Sequence, residues 1–161
     1  MVINKDEFYM REALKEGKLA FEKDEVPVGA IIVHKGSIIA RAHNQIKLLK
    51  DPTAHAEMIA ITQAANCLQN ERLIGCSMYV TIEPCSMCAG AMILARINDL
   101  VYAADDPKTG ACGSVESITS NKKLNHKVEV RKGILEEESS LLIKEFFKKK
   151  RSNEIVPRST A

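Results

Sequence analysis

Hydrophobic positions recur along this chain with two different periods, and the changes of period divide it into elements. Stretches with an apolar residue every three or four positions predict amphipathic helices, whereas short β-branched runs between turn-forming residues predict strands. The predicted helices span residues 5 to about 23, 54 to about 69, 85 to about 95 and 134 to about 151. The predicted strands span residues 30–34, 38–42, 78–82, 100–104 and 128–131.

Caps and turn-forming residues support these boundaries. Asn4 is a suitable N-cap for the first helix, and Thr53 is the predicted N-cap of the second. Lys35-Gly36-Ser37 separates the first two strands and predicts a hairpin turn. Residues 44–52 are predicted to form a polar, basic loop, and residues 111–125 show no clear pattern.

The order of elements predicts the fold class. Helices and strands interleave after the hairpin, which is typical of a layered α/β domain. The hairpin strands pair antiparallel and the later strand–helix–strand steps favour parallel pairing, so a mixed sheet is predicted. A chain of 161 residues fits one core. We expect one domain over residues 1–151 and a flexible tail over residues 152–161, which hold turn-forming residues and little apolar content.

Composition excludes several classes of protein. No apolar run approaches the ~20 residues of a membrane span, and residues 1–7 are too polar for a signal peptide, so no membrane association is expected. Five cysteines form no regular disulfide framework, which favours a reducing cytoplasm. The net charge of +2 is too small to indicate nucleic-acid binding by itself, although residues 148–151 are four consecutive cations.

Candidate chemistry begins at Cys85 and Cys88, which follow a predicted strand and the turn Glu83-Pro84. Three residues apart, the two thiols share one helix face, and the positive end of that helix favours thiolates. A strand followed by a C-x-x-C helix fits either zinc binding or thioredoxin-like redox chemistry. On this motif alone, both alternatives stay open.

His55 and Glu57 favour zinc. H-x-E followed by P-C-x-x-C is the signature of the zinc-dependent nucleobase deaminases. One imidazole and two thiolates leave a fourth position open for water, as in catalytic sites. Asp51 and His43 are the nearest candidates for a fourth ligand, and neither has a persuasive spacing. Zinc lowers the pKa of bound water to about 7, and Glu57 is the predicted proton shuttle that lets the amine leave as ammonia.

The spacing of His55 and Glu57 raises a geometric question. Residues two apart diverge on an ideal helical wheel. For both to reach one site, we expect the metal to lie off the N-terminal end of the second helix, between the two side chains.

The sequence resembles the bacterial tRNA-specific adenosine deaminases, within the cytidine-deaminase-like superfamily. The matching segments cover the chain from about Phe8 to Arg151 and are residues 26–30, 42–44, 51–58, 79–97, 108–111, 125–126 and 133–135. The resemblance implies a three-layer α-β-α sandwich with a five-stranded sheet, and a homodimer with the active site near the subunit interface. It also implies one zinc ion per subunit, no nucleotide cofactor, and hydrolysis of adenosine to inosine at the wobble position in the anticodon stem-loop of a tRNA.

Carried over position by position, the resemblance assigns roles to individual residues. It implies the zinc ligands His55, Cys85 and Cys88 and the catalytic residue Glu57. The substrate-binding residues that it implies are Asn44, Val26, Pro27, Ala56, Pro84, Asp106, Lys108 and Phe147. Lys150 and Arg151 are the implied contacts to the RNA backbone. Within this set, Asn44 matches the residue that hydrogen-bonds the flipped purine.

Two of these assignments have simpler structural alternatives. An isolated Asn such as Asn44 usually caps or turns a strand end. The cations at residues 148–151 also complement the dipole of the last helix. Phe146 and Phe147 are adjacent, so one faces the core while the other is free to stack on a base.

Two other functions compete with tRNA deamination. A small-molecule deaminase acting on guanine or cytosine would share the zinc site but would not need the basic end of the last helix. A non-enzymatic tRNA-binding or zinc-stabilised subunit would have no use for Glu57.

Overall fold

The computed structural model describes residues 4–155, in which strands and helices interleave. The strands are β1 (Gly29–His34), β2 (Ser37–His43), β3 (Cys76–Ile82), β4 (Asp99–Ala104) and β5 (Glu129–Lys132). The helices are α1 (Lys5–Glu22), α2 (Ile46–Leu49), α3 (Ala56–Leu68), α4 (Ser86–Leu94) and α5 (Glu136–Ile155). Every predicted strand and helix has its counterpart.

The five strands form one mixed sheet in the order β2-β1-β3-β4-β5. Strand β1 pairs antiparallel with both β2 and β3, whereas β3–β4 and β4–β5 are parallel pairs. The predicted mixed sheet is confirmed, with one difference in neighbours. The chain crosses from β2 through α3 to β3, but β1 lies between these two strands, so they do not pair.

Alternating side chains of the central strands separate two apolar layers. On β1, Ile31 packs with α1, whereas its neighbour Ile32 packs with the alanine-rich faces of α3 and α4. Helix α5 joins the α1 side, where the Phe146 ring lies 5.9 Å from the Phe21 ring. The fold is therefore the three-layer α-β-α sandwich that was expected.

Gly29 allows α1 to pack directly on the start of β1. A Cβ atom at this position would lie 2.0 Å from the carbonyl oxygen of Ala13 and 2.4 Å from the backbone nitrogen of Gly17. No side chain fits in that space. The close contact fixes the segment just before β1, which carries Val26 and Val28.

The segment around the second predicted helix differs from expectation. The predicted loop over residues 44–52 contains the short helix α2. The N-cap of α3 is His55 rather than Thr53. The Thr53 backbone N–H and hydroxyl both donate to Asp51 Oδ1, at 2.8 and 2.7 Å, so Thr53 belongs to an Asx turn before the helix.

The last helix begins and ends later than predicted. Helix α5 runs from Glu136 to Ile155, so residues 152–155 of the predicted flexible tail are helical. Residues 156–161 lie outside the described part of the chain, and their predicted flexibility stays a prediction.

The segment between β4 and β5 contains turns and isolated β-bridges, with no helix or extended strand among its described residues. One bridge joins Gly110 to Cys85, and the other joins Cys112 to Ser117. In residues 4–155, no helix combines the length and the apolar content needed to cross a membrane.

Candidate active site

His55, Cys85 and Cys88 bring their ligand atoms together at one point. The His55 Nδ1 atom lies 3.7 Å from Cys85 Sγ and 3.6 Å from Cys88 Sγ, and the three ligand atoms are all within 4.8 Å of one another. In a tetrahedral zinc site, a nitrogen at about 2.0 Å and a sulfur at about 2.3 Å from the metal are about 3.5 Å apart. The three side chains therefore have the identity and the spacing of zinc ligands.

Two helix N-termini hold this cluster. Cys85 is the N-cap of α4, directly after the turn that ends β3, and Cys88 lies in the first turn. His55 is the N-cap of α3 and has extended backbone angles, φ −74° and ψ 151°. Because His55 precedes the first helical residue, residues 55 and 57 do not have to diverge as they would on a helical wheel. His55 and Glu57 line the same cavity. The ligand atoms of His55, Cys85 and Cys88 therefore meet at the N-terminal end of this helix, where the metal was expected.

The two thiols differ in acidity because they interact with each other. The Cys88 thiol, together with His55, lowers the pKa of Cys85 to about 4 against the opposing effect of burial. The interaction with Cys85, together with burial, raises the pKa of Cys88. Cys85 is therefore the first of the pair to become a thiolate, and a cation bound between them would displace the second proton.

Glu57 is a buried carboxyl with an unsatisfied oxygen. Its side chain is 3% exposed, and Oε2 has no hydrogen-bond partner among the described residues. Burial raises the pKa of Glu57 to about 7. A carboxyl with one unpartnered oxygen and a pKa near neutral pH suits proton transfer to and from a bound molecule.

A cavity of about 210 Å³ joins these residues into one site. Its lining residues are Val26, Val28, Asn44, Ile46, His55, Glu57, Ile82, Glu83, Cys85, Asp106 and Thr109. Apolar side chains alternate with carboxyl, amide and hydroxyl groups around it, which is the usual character of a small-molecule or nucleobase site.

The cavity includes some of the predicted substrate residues and leaves others out. Val26, Asn44 and Asp106 line it. Pro27, Ala56 and Pro84 are not lining residues, although each lies between two residues that are. Their predicted substrate contacts stay predictions.

Asn44 has a structural role at the cavity wall. It is 5% exposed, and its Oδ1 accepts a hydrogen bond of 2.8 Å from the backbone N–H of Ala56. The imidazole of His55 makes no capping hydrogen bond, so Asn44 caps α3 from the end of β2 instead. With its oxygen committed to the backbone, the Asn44 amide offers its N–H₂ group to the cavity as a donor.

Neither candidate for a fourth metal ligand lies in the cluster. His43 Nδ1 is 2.9 Å from Glu16 Oε2, and its Nε2 is 3.3 Å from Lys23 Nζ. The Asp51 carboxylate accepts hydrogen bonds from Thr53. The cluster of three ligands that the sequence predicted thus leaves out both residues.

Sequence reasoning missed five lining residues, which are Val28, Ile46, Ile82, Glu83 and Thr109. The sequence signal at Glu83 was an acidic residue directly after a buried strand, but it was interpreted only as part of a turn. Ile46 was hidden in a segment predicted to be polar loop. Thr109 reaches the cavity because its N–H and hydroxyl both donate to Asp106, at 3.2 and 2.7 Å.

The remaining predicted RNA contacts lie outside the cavity lining. Phe147 is 43% exposed while Phe146 is buried, so the adjacent pair divides between surface and core as expected. Lys108 and Arg151 are exposed. Lys150 Nζ forms an ion pair of 2.6 Å with Asp24, so this predicted phosphate ligand already has an anionic partner.

Comparison with known proteins identifies the family. Residues 3–151 match the MafB19-like deaminase family. The tRNA-specific adenosine deaminase of Aquifex aeolicus is 52% identical over 147 residues, which are 91% of this chain and 97% of the relative. The tRNA-specific adenosine deaminase of Bacillus subtilis is 45% identical over 156 residues, 97% of each chain.

A solved structure extends the match to three dimensions. It comes from studies of A-to-I editing by tRNA:A34 deaminases at the wobble position of transfer RNA. Its TM-score is 0.81 and its sequence identity is 45%, and the match covers 84% of this chain and 98% of the solved chain. The chain therefore belongs to the tRNA-specific adenosine deaminase family.

Proposed function

We propose that this chain hydrolyses adenosine to inosine at the wobble position of a tRNA, releasing ammonia. The observation that supports it most directly is the unpartnered, buried carboxyl of Glu57 in the same cavity as His55 and Cys85. The relatives at 45% and 52% identity, which are named for tRNA and adenosine, supply the substrate class.

The donor set fits one zinc ion per chain, held by His55, Cys85 and Cys88. The deaminase family is generally zinc-dependent, and the spacing of the three ligand atoms matches a tetrahedral site with one position open. Zinc in such a site makes water nucleophilic at neutral pH.

Glu57 carries the protons of the reaction. It takes one proton from the attacking water and delivers it to the purine ring nitrogen, then takes the second proton from the newly formed hydroxyl and delivers it to the departing amine, so that ammonia leaves. Its burial keeps bulk water away from these transfers. Oε2 has no hydrogen-bond partner among the described residues, so this oxygen is available to a bound molecule.

The cavity walls orient the base. Asn44 offers an N–H₂ donor to a purine acceptor, because its oxygen is held by the Ala56 backbone. Val26, Ile46 and Ile82 provide apolar surface for the faces of a planar ring. This combination suits a nucleobase that has been flipped out of its stack.

RNA contacts are proposed on the surface beyond the cavity. Lys108 follows the cavity residue Asp106, and its exposed side chain can reach a neighbouring phosphate. Phe147 offers an exposed ring for base stacking, with Lys150 and Arg151 following it as phosphate ligands.

We also propose a homodimer, on the side of the sheet covered by α3 and α4. Leu94 at the end of α4 is 80% exposed, and Ile59 and Ile61 of α3 are only partly covered. A second copy would bury these apolar side chains beside the two helices that carry the ligands. The free cysteines fit a reducing cytoplasm, where we place the enzyme.

The decisive experiment measures inosine formation by the purified, zinc-loaded protein. The substrates are an anticodon stem-loop with a wobble adenosine, the same stem-loop with guanosine at that position, and free adenosine, adenine, guanine and cytosine. Inosine in the first substrate alone supports the proposal. Ammonia release from a free base with the RNA unchanged would keep the zinc chemistry but replace the tRNA substrate.

A further inference from the structure

We infer that Glu83 is the positioning residue that holds the loop of residues 105–114 against the substrate cavity. This inference deepens the proposed function, on which it rests for its activity readout. Glu83 directly follows β3 and precedes Pro84 and Cys85. It is 1% exposed, although a carboxylate is among the groups least often buried.

The Glu83 carboxylate binds the loop by accepting hydrogen bonds from backbone N–H groups of the loop. Oε1 accepts a hydrogen bond of 3.1 Å from the Asp106 N–H, and Oε2 accepts bonds of 3.0 and 3.1 Å from the N–H groups of Cys112 and Ser114. The Ser114 hydroxyl also donates to Oε1. Among the described residues no lysine or arginine forms an ion pair with Glu83, so backbone dipoles compensate its charge.

Gly110 provides the space that the carboxylate occupies. A Cβ atom on Gly110 would lie 2.4 Å from both the carboxyl carbon and Oε2 of Glu83, and 2.5 Å from the Asp106 carbonyl oxygen. The glycine is required for this close approach. The loop is therefore built around the Glu83 side chain.

The same contacts join the loop to the metal-binding turn. Gly110 forms a β-bridge with Cys85, and the Ala111 N–H donates to the Pro84 carbonyl at 2.9 Å. The loop has no helix or strand of its own, so these polar contacts set its position. The loop places Asp106 and Thr109 in the cavity wall. The distance between these two residues and Cys85 therefore depends on Glu83.

The variant Glu83→Gln tests this role with little change of shape. Its remaining oxygen can still accept from Cys112 and Ser114, and its N–H₂ can donate to the Ser114 hydroxyl. The N–H₂ group would then face the Asp106 N–H, so this one hydrogen bond is lost. We expect the Asp106 amide to lose at least about tenfold in hydrogen-exchange protection while the Cys112 and Ser114 amides keep theirs.

Activity and metal content give the second readout. We expect kcat/KM on the anticodon stem-loop to fall roughly 10- to 100-fold, mainly through KM, with stoichiometric zinc retained. Ser114→Ala removes only the hydroxyl donor of an exposed residue, so its kcat/KM on the stem-loop should fall less, by about two- to fivefold. Ser114→Ala leaves the buried carboxylate in place. If Glu83→Gln does not fold, the kcat/KM of Ser114→Ala therefore tests the role of Glu83 instead.

Asp6→Asn is the matched control for loss of a structural carboxylate. Asp6 binds Arg131 and Tyr79 on the α1 side of the sheet, and none of the three lines the cavity. This variant should lower the melting temperature while kcat/KM stays within about twofold and the Asp106 amide stays protected.

Three results would overturn the inference. One is a kcat/KM for Glu83→Gln within twofold of the parent chain. A second is loss of zinc from Glu83→Gln. The third is a loss of hydrogen-exchange protection that is spread evenly over the chain of this variant. Both indicate general destabilisation. If the parent chain makes no inosine in RNA, the proposed function fails, and the exchange pattern alone then decides whether Glu83 holds the loop.

Discussion

Asn44, at the end of β2, caps the helix that carries Glu57 by accepting a hydrogen bond of 2.8 Å from the backbone N–H of Ala56. One side chain thus fixes the start of the catalytic helix and presents a donor to the cavity. Support of the helix needs only the amide oxygen, whereas substrate binding needs the N–H₂ group.

Two substitutions at Asn44 should separate these roles. Asn44→Asp keeps an oxygen for the Ala56 N–H, so the melting temperature should change little while kcat/KM for the stem-loop falls at least tenfold. Asn44→Ala loses both functions and should also destabilise the fold by about 1 kcal/mol. Thermal unfolding and inosine assays measure the two effects. Equal activity in Asn44→Asp and the parent chain would remove Asn44 from the substrate site.

Glu57→Gln should abolish turnover without removing the metal. The amide keeps the size of the side chain but cannot shuttle protons, so we expect kcat to fall at least about 10²-fold with one zinc per chain retained. Glu57→Ala should give the same result with a cavity in place of the side chain. Elemental analysis and single-turnover inosine formation measure the two quantities, and near-parental activity in either variant would contradict the assigned role.

Cys85→Ala should lose both zinc and stability. Its thiolate joins the turn after β3 to His55 on α3, so its removal leaves two ligands and weakens the link between two helices. Elemental analysis should show zinc well below one per chain, together with a lower melting temperature. The control is Cys67→Ala, which removes an exposed thiol and should keep full zinc occupancy. Stoichiometric zinc in Cys85→Ala would mean that the ligand set is wrong.

Lys150 should contribute to RNA binding through one phosphate. Its Nζ now pairs with Asp24, which also pairs with Lys47 at 3.1 Å, so phosphate has to compete with a carboxylate. Lys150→Ala should reduce the slope of log K against log salt for the stem-loop by about 0.7 to 0.9. Asp24→Asn, which frees both lysines, should tighten binding at low salt.

The control for Lys150→Ala is Lys35→Asn. Lys35 lies in the β1–β2 turn, at the opposite end of β1 from Val28 and the cavity. Asn suits its positive φ of 49°, so only the charge is removed. An equal change of slope in both variants would show general electrostatic attraction rather than a phosphate contact at Lys150.

Acid should selectively weaken the contact between Asp6 and β5. The Arg131 guanidinium, with help from the Tyr79 hydroxyl, holds the pKa of Asp6 below its usual value of 3.8. The folded-state pKa is the lower one, so the stabilisation is present above the unfolded value and is lost as pH falls through the folded value. Urea unfolding should therefore show Asp6→Asn less stable than the parent at pH 7, by about 0.5 to 1.5 kcal/mol because solvent screens the half-exposed Arg131 partner. A gap that persists unchanged at pH 2 would contradict this linkage.

The sequence predicted the features that depend on local pattern. The strand and helix positions follow from periodicity, and the ligand cluster follows from H-x-E and P-C-x-x-C, because short fixed spacings on two helix N-termini leave few ways to assemble the site. The substrate roles of Phe147 and Lys108 stay predictions, since no feature of the described residues tests them.

Features that depend on contacts between distant segments were missed. The N-cap of α3 was assigned to Thr53 because the sequence does not show that Asn44 supplies the capping oxygen from another strand. Glu83 was interpreted as part of a turn because its four donors come from residues 23 to 31 positions later. Helix α5 continues to Ile155 although residues 148–154 are all polar, so local composition predicted too early an end.

The proposed zinc ligation by His55, Cys85 and Cys88 would also make the lifetime of the protein depend on the supply of metal. His55 and Cys85 are 30 residues apart in the chain and meet only after α3 and α4 have packed on the same side of the sheet. Zinc at this proposed site would therefore bind the folded chain far more tightly than the unfolded one and lower the unfolded fraction by mass action. In a cell starved of zinc, more of the chain would unfold and be removed by proteases, so abundance would fall together with activity.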